Sequence, residues 1–297
     1  MPRAARISAR SVVASNSILT VTPYERRYRP DLLALLEYSY QRHTHLDWYE
    51  PDEWVDNVAG LTRLAFRGTH LVGLMAATLP VFGASWIRMV ALADGTTETE
   101  VLEQLWASTA AALRQAGTRE CWVLMLEPWF EYYMPLLDMT EAERLVTLRR
   151  EGDPLPERPP SRIAVEFARL EDVDAMTAVD QAAFATPFQM TTQDMRRAYR
   201  FAALSSVARV DGRIVGYQLS TRHGDQGHLA RLAVSPSMQG QGIGAALVCD
   251  MTAAFLRRRV ELVTVNTQIS NTRSLSLYTA CGFTRSGFDL PIYRALL

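Results

Sequence analysis

Apolar and polar residues alternate with period two through AFRGTHLVGLMAA (65–77) and again through ARVDGRIVGYQLS (208–220), each interrupted by a glycine-containing turn. That pattern predicts two β-hairpins. Downstream of each lies a further apolar strand pattern, WIRMVAL (86–92) and HLARLAV (228–234), followed by a helical one. Then come CWVLML (121–126) and LVTVNT (262–267). The offsets of the three matches are 143, 142 and 141, from 65 to 208, 86 to 228 and 121 to 262, and a near-constant offset over separate elements is the mark of a duplicated domain. In the second copy the pattern predicts a strand (163–168), two helical segments (171–184, 191–203), the hairpin (206–220), a strand (228–234), a helix (243–257), a strand (261–267), a helix (272–281) and a closing strand (287–296). Strands with interleaved helices fit an α/β (α+β) class, each copy a mixed, mostly antiparallel sheet flanked by helices.

Between the copies stands EGDPLPERPPSR (151–162), four prolines within seven positions, which suits a stiff extended linker. The chain therefore divides into 1–150, the linker, and 163–297. A length of 297 residues with 48% hydrophobic and 21% charged content lets both parts bury a core. A net charge of −1 argues against a nucleic-acid footprint. All 31 basic residues are Arg, so any chemistry that needs a lysine, such as a P-loop or a Schiff base, is excluded. Three cysteines, Cys121, Cys249 and Cys281, have no paired spacing for a disulfide framework or a metal site, which points to a reducing, cytoplasmic setting. No apolar run is long enough to span a membrane. The Arg- and Ser-rich start, MPRAARISARSVVASNS, reads as a frayed tail. His43, His45 and Asp47 have metal-like spacing but no second cluster, so no metal is expected.

The chemistry concentrates after the strand ending Leu232-Ala233-Val234. Gly240, Gly242 and Gly244 stand at a helix entrance, where bare backbone N–H groups and the positive end of the helix dipole form a phosphate site that needs no lysine. A dinucleotide-binding turn fits poorly, because the glycines come too late after the strand and read GxGxxL. Gln239-Gly240-Gln241-Gly242-Ile243-Gly244, followed by Ala245, has instead the form Q/R-x-x-G-x-G/A, and here the chain resembles the GCN5-related N-acetyltransferases (GNAT). Asn271-Thr-Arg-Ser274-Leu-Ser-Leu-Tyr278-Thr-Ala-Cys-Gly282-Phe283 is similar to that family's second segment. The resemblance covers the chain from residue 163 onward.

The resemblance implies acetyl-CoA as co-substrate. Its pyrophosphate would lie on the amides of residues 239–245 and its pantetheine arm along a splayed Leu232–Val234. Asn271 and Ser274 would touch the arm, and Tyr278 would lie beside the thioester sulfur as proton donor to the leaving thiolate. His228 occupies the position where some members carry a glutamate base, and an imidazole can take the amine's proton near neutrality. Phe184 and Phe188 would border the acceptor. The first copy places Glu98 and Glu100 where the second has Gly240 and Gly242, so its fold is expected to persist and its anion site to be lost. Its aromatic stretch Trp129–Tyr133 reads as core. The resulting expectation is an N-acetyltransferase acting on a small-molecule or protein N-terminal amine. The alternatives are a non-enzymatic acyl-CoA-binding module and, within the enzyme class, a relative of the mycothiol synthases.

Overall fold

Both expected hairpins form, and their turns show why glycine is there: Gly68 sits at φ +60° and the Asp211-Gly212 pair at +49° and +76°, left-handed values suited to a tight strand reversal. The computed structural model describes residues 17–152 and 163–297. The N-terminal tail and residues 153–162 of the proline-rich segment lie outside the described residues. In the first half the elements are β1 (Leu19–Pro23), α1 (Arg29–Tyr38), β2 (Gln41–Thr44), α2 (Pro51–Asn57), β3 (Thr62–Arg67), β4 (His70–Ala77), β5 (Ala84–Leu92), α3 (Glu98–Gln115), β6 (Glu120–Leu124), α4 (Pro128–Glu131) and β7 (Thr140–Glu151). The second half has β8 (Ala164–Phe167), α5 (Val173–Ala183), α6 (Thr192–Phe201), β9 (Leu204–Val210), β10 (Arg213–His223), β11 (Gln226–Val234), α7 (Ile243–Arg257), β12 (Leu262–Gln268), α8 (Thr272–Ala280) and β13 (Thr284–Leu296). Each strand and helix expected in the second half is present, with ends within three residues of the sequence pattern.

The strands join in one mixed sheet, ordered β1-β3-β4-β5-β6-β13-β7-β12-β11-β10-β9-β8, with β2 added beside β5. The centre of that order is crossed over. β13, the last strand of the chain, pairs with β6 of the first half, while β7, from before the linker, pairs with β12 of the second. The two also pair with each other. Cores follow the exchange: Val146 and Leu148 of β7 are buried with α7, α8 and β12, and Ala295 of β13 is buried with α3 and β6. Val146 and Leu148 each contribute on the order of 1.5–3 kcal/mol by leaving water and Ala295 about 0.8 kcal/mol, and each half is completed by the other's terminal strand.

The duplication is visible in irregularities as well as in regular pairing. Pairing of β4 with β5 slips at Arg88, and pairing of β10 with β11 slips at Ala230, the equivalent position of the second half at an offset of 142. Such bulges bend a strand and re-aim its remaining residues. In both halves the bulged strand starts parallel to its other neighbour and then leaves it. β5 and β6 pair from Ala84↔Glu120 to Trp86↔Trp122, and β11 and β12 from Gln226↔Leu262 to Leu229↔Val265. These registers put the third sequence match at an offset of 142, one residue from where the apolar letters alone place it; β6 is apolar at each position from Cys121 to Leu124, so a one-residue shift is easily missed there.

Candidate active site

The divergence of β11 from β12 opens a cleft of about 1440 Å³ in which both halves take part. Along one edge run Leu232, Ala233 and Val234, past the bulge and beyond the last β12 pair. At its end the chain turns through Gly240 and Gly242, both at φ +80°, into α7, with Gly242 as the N-cap. No side chain caps this helix, so its first N–H groups are left for an anion. Gly244 is needed for a different reason: a Cβ there would stand 3.0 Å from Leu277 Cδ2 on α8. The loop is stapled by Gln239, whose Nε2 donates to Val234 O at 3.0 Å and whose Oε1 accepts from Arg273. Gly240, Gly242, Ile243, Gly244 and Ala245 line the cleft together with Gln239. Gln241 does not; its side chain is exposed and lies against Met238.

Helix α8 forms the facing wall. Asn271 caps it, its side-chain oxygen accepting from Ser274 N at 3.0 Å, and Asn271, Ser274 and Tyr278 then follow at i, i+3 and i+7 on one face turned to the cleft. Tyr278 is 4% exposed and packs against Phe283. Burial, with Cys281 adding to it, raises its phenol well above the ordinary value, so the proton is retained at neutral pH.

His228 lies on β11 just before the bulge, its Nδ1 2.8 Å from Thr264 Oγ1. With the Thr264 hydroxyl directed at Gly227 O, 3.4 Å away, its lone pair can accept from Nδ1–H, and in that tautomer the Nε2 lone pair is available. Burial lowers the His228 pKa, which keeps the ring neutral at physiological pH.

The two phenylalanines line the same cleft with different neighbours. Phe188 wedges against Trp86 and Trp122 of the first half, with ring centroids 5.7 and 6.2 Å away. Phe184 lies under the Arg231 guanidinium, 3.7 Å from its ring centre. Sequence reasoning missed the group that holds this region: Asp180 is fully buried and pairs through both oxygens with Arg231, at 2.8 and 3.0 Å. The available signal was Arg231 itself, a charge inside the apolar strand HLARLAV.

The opposite wall comes from the first half, through His45, Asp47, Trp48, Tyr49, Trp86 and Arg88. His45 and Asp47 both bond Arg88. His43 is turned away from them into the core against Phe130. Among the described residues no group of three or more His, Cys, Asp or Glu side chains is placed to hold a metal.

In the first half the equivalent gap beside β5 is filled. β2 pairs antiparallel with the diverging end of β5, from Gln41↔Leu92 to Thr44↔Met89. Glu98, in the first turn of α3, accepts from Gln41 Nε2 at 2.7 Å and from the Tyr133 hydroxyl. Trp129 Nε1 donates to Arg42 O, and Phe130 is fully buried, so the aromatic stretch packs largely on this added strand. Tyr132 is its exposed exception.

A β-bulge, a splayed parallel pair and a glycine turn at a bare helix N-terminus define an acyl-CoA-dependent acyltransferase fold, and comparison with known proteins agrees. The acetyltransferase (GNAT) family model matches residues 173–283. A mycothiol acetyltransferase of Stackebrandtia nassauensis is 28% identical over 214 residues, covering 64% of this chain and 69% of that protein. An uncharacterized N-acetyltransferase of Methanocaldococcus jannaschii is 29% identical over 124 residues, 41% of this chain and 78% of that one. Among solved structures, a tandem GNAT protein from the clavulanic acid biosynthesis pathway superposes with a TM-score of 0.62 at 14% identity, over 94% of this chain and 98% of that one. Residues 173–283 are thus a domain of the acetyltransferase (GNAT) family, and the similarities mark the protein as an acyltransferase.

Proposed function

We propose that the second half binds acetyl-CoA and transfers its acetyl group to a primary amine by direct attack on the thioester. The observation that carries this reading is the open edge of β11 from Leu232 to Val234, leading straight to the uncapped glycine entrance of α7. An extended pantetheine arm can pair with such an edge as a strand would, and a pyrophosphate suits bare helix amides without any lysine. Acetyl-CoA would supply an activated thioester; the chain's residues supply position and proton transfers. Backbone N–H of β11 meets the charge that develops on the carbonyl oxygen. His228 Nε2 accepts the proton of the attacking amine, and Tyr278 donates to the departing thiolate.

The acceptor enters from the side walled by Phe184, Phe188 and the first half. Its walls mix aromatic rings with paired charges, which suits a small amine of low net charge better than a polycation. Similarity to mycothiol acetyltransferases favours a small-molecule acceptor over a protein N-terminal amine. On this reading residues 1–150 are a second copy of the fold whose cofactor gap is closed by its own strand, and its role is to shape the acceptor side. Cys121, Cys249 and Cys281 are buried and form no disulfide among the described residues, which fits a reducing cytoplasm, and among the described residues no helix is long and apolar enough to cross a membrane.

Titration calorimetry with acetyl-CoA is expected to return one site per chain; two equivalent sites, or none, overturn the assignment. A screen of amines for CoA release then identifies the acceptor. An acyl-CoA-binding module without catalysis is separated by Tyr278→Phe, which in an enzyme lowers turnover while binding is unchanged.

A further inference from the structure

Arg231 stands between the two substrates as this reading places them. It lies on β11 immediately before Leu232, the first residue of the open edge, yet its side chain reaches the loop of residues 184–190. Its Nε and one terminal nitrogen bond the two oxygens of Asp180 at 2.8 and 3.0 Å, and that same terminal nitrogen donates to Phe188 O. The guanidinium plane covers the Phe184 ring. Asp180 is tied further: Tyr217 OH donates to Oδ2 at 2.5 Å and Met190 N to Oδ1 at 2.8 Å. The loop is thus gripped at its start, middle and end, by Phe184, Phe188 and Met190, through one buried ion pair. Its outer side leans on the first half, where Trp86 Nε1 donates to Pro187 O at 3.1 Å.

We propose that Arg231 is a positioning residue that holds the acceptor loop 184–190 in register over the acetyl-CoA strand. A planar fork that stacks on a ring while bonding a carboxylate and a carbonyl is a task for arginine and not for a point-charge ammonium. The proposal rests on the acceptor and cofactor assignments above, and the test is chosen to stand apart from them.

Hydrogen exchange of peptides covering 184–190 is measured with and without acetyl-CoA in the wild type, in Arg231→Lys and in the double variant Asp180→Asn with Arg231→Met. Arg231→Lys retains a partner for Asp180 and is expected to melt within about 2 °C of the wild type. Exchange in 184–190 rises at least tenfold in both variants, while peptides of α7 exchange as in the wild type. The double variant removes both charges together, so it stays informative if a lone buried carboxylate prevents folding of another substitution. Acetyl-CoA affinity by calorimetry is expected to change less than threefold. Exchange of 184–190 that stays at the wild-type rate, or that rises only in proportion to a general loss of thermal stability, overturns the proposal. A wild type that fails to bind acetyl-CoA sinks the cofactor reading instead and leaves the loop measurement valid.

Discussion

Two gaps of equivalent geometry, one in each half, have opposite contents. Beside β11 the gap after the bulge at Ala230 is open, and the helix after it begins with glycines at positive φ. Beside β5 the gap after the bulge at Arg88 holds β2, and the helix after it begins with Glu98 and Glu100. These differences in the closed gap support one another, because Glu98 binds Gln41 of the inserted strand and Glu100 binds Arg67. On the proposed reading, a carboxylate at the helix entrance would repel a pyrophosphate, and the β2 strand pairs the β5 backbone that a cofactor arm would otherwise meet. The inserted strand also leads directly into His45, Asp47, Trp48 and Tyr49 on the first-half wall of the cleft. One short segment thereby fills the gap beside β5 and lines the cleft beside β11.

The largest expected effect comes from separating the halves. Residues 163–297 alone lose β7 and leave Val146 and Leu148 absent from the core around α7 and β12. With domain stabilities of about 5–15 kcal/mol, the loss of a central strand is expected to abolish cooperative unfolding by circular dichroism and acetyl-CoA binding by calorimetry. Co-expression with residues 1–152 should restore both. A second half that folds and binds by itself would show that the strand exchange is dispensable.

Next in size is His228→Ala, expected to lower kcat/KM by about 10²–10⁴ if His228 is the base. A loss below threefold assigns that role to water. Because burial lowers the His228 pKa, the ring gains its proton only below the ordinary imidazole range of about 6.5. The acid limb of the kcat/KM profile is therefore expected below that value in the wild type and absent in the variant. Its counterpart at the offset of 142 is Trp86, which cannot accept a proton, so the comparison between halves extends to the base.

A smaller effect tests whether the acid at the helix entrance is enough to close a site. Gly240→Glu copies Glu98 into the open half, and Gly240→Gln has nearly the same shape without the charge. Both carry the left-handed strain of φ +80°. Gly240→Glu is expected to weaken acetyl-CoA binding by about 10²-fold, or roughly 2.7 kcal/mol, and Gly240→Gln by about tenfold less. Equal losses in the two variants would assign the effect to strain and leave the glutamates of the first half as passengers.

Much of the geometry of the second half's candidate site was legible in the chain because its determinants are local. A glycine run before an amphipathic helix, an asparagine cap, and a tyrosine two turns on are short-range patterns whose geometry comes from helix and turn rules. Even the splay at Leu232–Val234 is implied by the family motif. The parts that depend on distant pairing were not legible. QRHT (41–44) is too short and polar to announce a strand, and it becomes one only because β5 offers an unpaired edge. The crossing of β7 and β13 leaves no trace in periodicity, since either neighbour buries the same apolar face. Asp180 and Arg231 lie 51 residues apart and reveal their connection only once α5 and β11 are packed. His43 and His45, two residues apart, would share a face in a continued strand, but β2 ends at Thr44, so His43 enters the core and His45, beyond the strand, reaches the cleft.

The filled gap carries its own weakness, and this gives the last prediction. His43 is fully buried on β2, its ring tilted against Phe130, and neither ring nitrogen has a hydrogen-bond partner. Burial lowers its pKa from 6.5 to about 3, with His45 and Arg88 adding to the effect. The unfolded chain then binds a proton at this position throughout the window from about 6.5 down to about 3, and the folded one does not. Stability must fall as pH falls through that window. Two pH units into it, near pH 4.5, the penalty is about 3 kcal/mol at one pKa unit per 1.4 kcal/mol. His43→Leu removes the titrating group and keeps an apolar side chain of similar size beside Phe130. Denaturant melts at pH 7 and pH 4.5 are expected to show the variant close to the wild type at the higher pH and more stable by about 3 kcal/mol at the lower. An unchanged difference between the two pH values would mean that the strand leaves the gap before the histidine is protonated, which would make the closed gap of the first half an openable one.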